Sequence, residues 1–242
     1  MQAKIKNKIR IAAIGDLHVR MQNNIFREIF EEISRNADVL VLCGDLTDHG
    51  DPKEAEVLIE ELESCKIPVV AVLGNHDYDR GLQEEITTIL KRGRVSILQN
   101  EPCEINGVGF AGVKGFAGGF DKYMLSPFGE ELIKKFVFES VNEAMQLEKQ
   151  LADLKSAKKI VVLHYSPIKE TVKGEPEEIM PFIGSSRLAE PIDHFGASLV
   201  LHGHAHRGSP TGKTLRGIPV YNVSLPVMMR INPQQPYFLG EI

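Results

Sequence analysis

Carboxylate, imidazole and carboxamide side chains recur in five short clusters along the 242-residue chain. Asp16-x-His18 is the first, Asp45 and Asp48 lie in GDLTD, and Asn75, His76 and Asp77 lie in GNHD. His164 stands alone, and His202, His204 and His206 crowd HGHAH. Oxygen and imidazole donors without thiolate suit Mn, Fe or Zn better than Cu(I). One such fragment says little, because a histidine beside a strand is more often a hydrogen-bonded neighbour than a ligand. Five in succession, each after an apolar run, point to convergence on one metal-binding crevice.

The runs that must position these groups are KIRIAAIGD, ADVLVLCGD, PVVAVLGNHD, KKIVVLHYS and ASLVLHGHAH, which read as buried strands delivering residues at their ends. Helix-like segments, Asn23 to Asn36 and Pro52 to Cys65, separate the first three. The chain therefore opens as βαβαβ with a parallel sheet, Pro52 taking the first position of its helix. If strand geometry persists past Gly15, Asp16 and His18 point to the same side. Further on, Asn106-Gly107 between β-prone residues predicts a hairpin turn, followed by a glycine-rich loop from Gly112 to Gly119. Apolar positions at helical spacing predict a long surface helix over 130–156. Pro, Gly and Glu mark 166–190 as a loop or lid, and GIPVYNVS and PYFLGEI supply two more strands. With no repeat and no linker, residues 1–242 read as a single α/β domain.

Composition excludes some partners. A formal charge of -5 leaves no broad basic surface for nucleic acid, and 7% aromatics without Trp offer few stacking platforms, so a nuclease gains little support. Three cysteines, Cys43, Cys65 and Cys103, are not spaced for zinc or a disulfide framework and fit a reducing cytoplasm. The basic start MQAKIKNKIR precedes an apolar run too short for a signal peptide, and no stretch of about 18 apolar residues is present to span a bilayer. A cytoplasmic protein acting on a small molecule, away from membranes, is expected.

D-x-H, G-D-x-x-D, G-N-H-D, a lone His and G-H-x-H, in this order from Asp16 to His206, resemble the pattern of the calcineurin-like metallophosphoesterases. That resemblance implies an α/β fold of four layers, an αββα sandwich, around two divalent metal ions. It implies Asp16, His18 and His206 on the first ion, Asn75, His164 and His204 on the second, and Asp45 bridging both. It also implies His76 as catalytic acid and Asp48 as the carboxylate that orients it. A small phosphomonoester or phosphodiester would be hydrolysed by attack of a metal-bridging hydroxide. The charges agree: two divalent ions outweigh Asp16, Asp45 and one hydroxide, whereas a third carboxylate at Asn75 would cancel the surplus that attracts a phosphoryl group. A metal pair about 3.5–4 Å apart clamps the entering and leaving oxygens of an in-line displacement. His76 diverges from its neighbour Asn75 and stays free for proton chemistry, for which an imidazole is suited. Asp48, on its own residues, reads equally as a turn-capping carboxylate in LTDHG. His202 lies outside the pattern and reads as a packed, hydrogen-bonded support.

Departures from the pattern narrow the branch. His49 follows Asp48 where phosphoprotein phosphatases carry Arg-Gly, and Asp77 follows His76 where they carry Glu. The missing guanidinium fork argues against a protein serine/threonine phosphatase. Length and GNHD are nearer the cyclic-nucleotide phosphodiesterases, although Tyr165 stands where a second histidine often follows the lone one. A non-catalytic scaffold on the same fold would have lost ligands or His76, and none is lost. For substrate grip, Gly-Ser-Ser-Arg before Leu188 reads as a helix opening that faces an anion, with Ser186 and Arg187 as substrate-binding candidates. A competing reading has Ser185 or Ser186 capping that helix and Arg187 paired with a carboxylate such as Glu190.

Overall fold

A computed structural model describes residues 8–22 and 25–242. The basic segment 1–7 and the first two residues of the helix expected from Asn23 lie outside the described residues. The chain begins β1 (Arg10–Ile14), α1 (Arg27–Asn36), β2 (Val39–Cys43), α2 (Pro52–Leu62), β3 (Val69–Val72), α3 (Gln83–Arg92) and β4 (Val95–Ile97). It continues through β5 (Cys103–Ile105), β6 (Val108–Val113), α4 (Glu131–Asp153), β7 (Lys158–Leu163), α5 (Met180–Ile183), α6 (Ala189–Phe195) and β8 (Leu199–His202). β9 (Thr211–Lys213), β10 (Pro219–Asn222), α7 (Leu225–Ile231) and β11 (Phe238–Glu241) complete it.

Two sheets result, ordered β11-β1-β2-β3-β4 and β5-β6-β7-β8-β10-β9 among the described residues. β1 to β4 run parallel, as do β6, β7, β8 and β10, while β5, β9 and β11 close the edges antiparallel. Inner strands such as β2, β3 and β6 are apolar on both faces because both are covered, whereas β5, β9 and β11 at the edges are partly exposed. Ile11, Ala13, Val39, Val41 and Val70 meet Phe110, Ile160, Val162 and Leu201 of the other sheet. The alternate residues Ala12, Ile14, Leu40, Leu42 and Ala71 face α1 to α3 through Phe30, Ile33, Leu58 and Ile86. On the far side, Ala111, Val161, Leu163 and Val200 pack against Leu147 and Leu151 of α4 and Ile192 of α6. The order helix, sheet, sheet, helix is the expected four-layer sandwich.

Local signals account for most elements. Asp51 caps α2 through the Lys53 amide, in a capping box with Glu54 and with Pro52 at the start of the helix. Asn106 (φ 55°) and Gly107 (φ 79°) turn the chain between β5 and β6, the left-handed pair a tight hairpin requires. α4 is more than a surface helix. Its buried Gln150 accepts from the Gly112 amide at 2.9 Å and donates to the carbonyls of Leu98 and Gly112 at 2.8 Å, fixing the end of β6. Segment 166–190 also differs from a plain loop. It folds into short helical turns, and bridges Ser166 to Gly184 and Gly119 to Ser185 stitch it down. α3 adds to the expected elements, and its Ile86, Ile89 and Leu90 are buried at helical spacing. Among the described residues no helix is long and apolar enough to cross a membrane.

Candidate metal centre

The carboxyl ends of β1, β2, β3, β7 and β8 open onto one rim, where the five sequence clusters meet. Their loops are hydrogen-bonded to one another: the Asp16 amide donates to the Gly44 carbonyl at 2.9 Å, His18 to Asp45 at 3.0 Å, and Gly203 to His164 at 3.2 Å. Such close approach demands glycine at two points. A Cβ on Gly203 would collide with Asp16 Oδ2, and one on Gly44, itself at φ 80°, would strike the His164 ring. The Gly that precedes a ligand-type residue in these motifs thus makes room for a residue of another motif.

Strand geometry does not persist past Gly15. Asp16 (φ 58°) and His18 (φ 45°) are left-handed, as are Asp45 (φ 48°) and His204 (φ 66°). Each such non-glycine residue costs about 1–3 kcal/mol, and these four place the strain in the loops after β1, β2 and β8. Asp16 and His18 nevertheless reach the same place. With His206 they form one group whose donor atoms lie within 4.8 Å of one another. The His206 ring sits 2.8 Å from Asp16 Oδ1, and the His204 amide donates to both Asp16 oxygens at 3.0 Å.

Asp45, His164 and His204 form a second group within the same 4.8 Å. Asn75 joins it through Oδ1, 2.9 Å from His164 Nε2. Asp45 faces both groups, with Oδ1 3.3 Å from His164 Nε2 and Oδ2 3.7 Å from His18 Nε2. Its carboxyl is pushed up to about 9, first by burial and then by the charges of Asp16 and Asp77. Burial lowers the imidazoles: His204 falls to about 3, and His164 well below its ordinary value. His206 alone among them moves up, through its bond to Asp16. Neutral imidazoles beside crowded carboxylates are a donor set that a cation would satisfy. His18 supports the fit. Both its ring nitrogens are buried without a hydrogen bond, although Nδ1 lies 3.2 Å from Asp48 Oδ1, and such orphaned groups cost about 1–3 kcal/mol each.

His18, Asp48 and His76 form a third group sharing His18 with the first. His76 is oriented by Asp48, but by its main chain: His76 Nδ1 donates to the Asp48 carbonyl at 2.7 Å. The Asp48 carboxylate, expected to do this, instead holds Arg20 Nε at 2.6 Å and faces His49 Nδ1 at 3.2 Å. Burial alone would raise that carboxyl, but the hydrogen bond and charge of Arg20, joined by His49 and His18, outweigh it and hold the group below its usual range. Sequence reasoning missed Arg20, whose only signal was its place two residues after His18.

His202 is packed as expected, fully buried with Nε2 2.8 Å from Thr171 Oγ1. Arg187 and Ser186 are engaged by main-chain and hydroxyl partners outside the five motifs. Arg187 Nη2 donates to the Leu125 carbonyl at 2.5 Å, and its amide donates to Ser185 Oγ at 3.3 Å. Ser186 Oγ accepts from the Asp121 amide at 3.0 Å. Ser185 therefore caps this turn, in line with the competing structural reading, and Arg187 braces a main-chain carbonyl rather than Glu190.

Asp77 is the frame of the site. Fully buried, it accepts from the amides of Gly74, Leu46 and Thr47 at 2.8, 3.2 and 2.8 Å and from Thr47 Oγ1 at 2.6 Å, tying the loops after β2 and β3 together. Asp77→Ala strands these donors and should cost about 3–5 kcal/mol, roughly a 10 °C fall in thermal midpoint for a chain of this size. Thermal unfolding checks it, and an unshifted midpoint would show that the loops are held by other contacts.

A calcineurin-like phosphoesterase family model matches residues 9–208. The probable glycerophosphodiester phosphodiesterase GpdQ of Arcobacter nitrofigilis is 25% identical over 213 residues, spanning 86% of this chain and 70% of that protein. Phosphopantetheinyl hydrolase of Mycobacterium tuberculosis superposes with a TM-score of 0.68 at 16% identity, over 95% of either chain. TT1561 of Thermus thermophilus gives 0.60 at 17%, over 96% of this chain and 98% of that one. At these identities the two solved structures establish the shared fold.

Proposed function

The chain belongs to the calcineurin-like phosphoesterase family of metal-dependent phosphoric ester hydrolases, and from that premise we propose that it works with two divalent cations on a small phosphodiester. The observation that carries the dinuclear reading is the position of Asp45, with one oxygen toward His164 of the second group and the other toward His18 of the first. Asp16, His18 and His206 would hold one ion, Asn75, His164 and His204 the other, and Asp45 would be shared. Mn, Fe and Zn all suit this donor set. Ions held there supply Lewis acidity and an activated water.

The protein's own residues do the rest. His76 donates Nδ1–H to a carbonyl, which can only accept, so the protonated ring has its Nε2 proton to give to a leaving alkoxide. Arg20 is tied to Asp48 through Nε, and its side chain is 63% exposed. Asp48 thus holds Arg20 by one carboxylate oxygen and faces His18 with the other, and the remaining guanidinium N–H groups would supply the phosphate-facing fork that the sequence lacks after Asp48. The phosphodiester substrate draws support from the relative named for glycerophosphodiester hydrolysis.

With Mn added, bis(p-nitrophenyl) phosphate should be hydrolysed with a higher kcat/KM than p-nitrophenyl phosphate, and the reverse order would assign the site to monoesters. Arg20→Ala should raise KM about tenfold, as expected for one lost charge-assisted hydrogen bond, with Arg20→Lys recovering only part. An unchanged KM at unchanged metal content would remove Arg20 from the substrate site.

A further inference from the structure

An aromatic ledge runs outward from the metal centre. The Tyr165 ring lies 4.3 Å from that of His204, Phe116 lies 6.0 Å from Tyr165, Phe136 5.0 Å from Phe116, and Phe182 6.1 Å from Phe136. The far end returns to the centre, because the Phe182 carbonyl is 3.3 Å from His204 Nε2. Phe182 is 54% exposed. Leu132 and Ile133, one turn before Phe136 on α4 and on its face, are 78% and 44% exposed. Scattered exposed apolar side chains are ordinary, but a connected set beginning at a metal centre marks a binding surface.

We propose that this ledge receives the uncharged, apolar arm of the phosphodiester, an alkyl or aryl alcohol moiety esterified to the phosphate held at the metal centre. The inference rests on the phosphodiesterase reading and names its substrate class. Continuity with His204 fixes the occupant, since the Phe182 carbonyl meets the His204 ring and an arm attached to a phosphate in the centre would pass onto the exposed Phe182 side chain. Lys114, whose Nζ lies 5.0 Å from the Phe116 ring and 5.5 Å from that of Tyr165, is paired with Glu143 at 3.4 Å, so its charge is spent within the protein rather than offered to a second phosphate.

The test uses dimethylphosphinate, butyl(methyl)phosphinate and methyl(octyl)phosphinate, monoanionic diester mimics in which carbon replaces both ester oxygens so that no P–O–C bond is left to hydrolyse, titrated against the Mn-loaded protein. A methylene fully removed from water is worth close to fourfold in affinity, so a ledge covering one side of the chain predicts about a tenfold to hundredfold gain from methyl to octyl. Leu132→Ser, on a side chain outside the packed core, and Phe182→Ala should each shrink that ratio severalfold. Equal affinity across the series, no binding at any length, or an undiminished ratio in both variants overturns the proposal. A flat series together with a concentration-dependent dimer in sedimentation that Leu132→Ser abolishes would assign the patch to a second copy instead. Turnover of methyl p-nitrophenyl phosphate is read separately. If that ester is untouched while the chain-length dependence holds, the ledge stands and the phosphodiesterase reading falls.

Discussion

Removing divalent cations is expected to abolish hydrolysis of bis(p-nitrophenyl) phosphate, and Mn or another transition metal to restore it. Lewis-acid stabilisation of a phosphoryl transition state is worth several kcal/mol, so the loss should reach about 10³-fold or more. Within the ligand set, Asp45→Asn should be more damaging than loss of any ligand confined to one group, because Asp45 faces both His18 and His164. Its effect should also be confined to metal binding. Burial, with the charges of Asp16 and Asp77, raises the Asp45 carboxyl in the metal-free protein and so favours its neutral form there. An asparagine of the same shape replaces a neutral group in the apo state, and the apo thermal midpoint should barely move. Metal analysis decides the matter: wild-type occupancy in Asp45→Asn would refute the shared role, and full turnover in excess chelator, with metal shown to be gone, would sink metal dependence itself.

What the sequence made legible follows from where the determinants lie. Buried parallel strands announce themselves as apolar runs, and Asp16, Asp45, Asn75, His164 and His204 each stand next to the end of one, so both the layers and the convergence could be read. The left-handed turns at Asp16, His18, Asp45 and His204 could not, because a non-glycine residue adopts φ near 50° only where tertiary contacts over-determine it. Here these contacts include the Asp16 and His18 amides bonded to the Gly44 and Asp45 carbonyls. The Asp48 expectation named the carboxylate where the main-chain carbonyl meets His76, since no spacing rule tells one from the other. Arg20 and the ledge were invisible for another reason. Phe116, Phe136, Tyr165 and Phe182 come from separate segments and carry no joint pattern, and 7% aromatics in the whole chain says nothing of their gathering beside one centre.

His76→Ala should lower kcat by about 10²–10⁴, the usual range for a lost general acid, while both metals and substrate affinity are retained. Retention follows from the geometry. The contact to Asp45 runs through the His76 amide, 2.9 Å from Oδ1, and survives truncation of the ring. The loss should scale with the leaving group, because a p-nitrophenolate departs without a proton and an alkoxide does not. An equal loss for aryl and alkyl esters would make His76 an electrostatic stabiliser of the phosphoryl oxygens instead. Asp48→Asn separates the two functions of that residue. The substituted side chain keeps the main-chain carbonyl that fixes the His76 tautomer, but it loses the charge that holds Arg20 at 2.6 Å. The variant should therefore raise KM, as Arg20→Ala does, and leave kcat close to wild type. If kcat falls instead, with the same preference for alkyl leaving groups as in His76→Ala, the carboxylate acts on the His76 ring after all, and Arg20 is held there only to balance its charge.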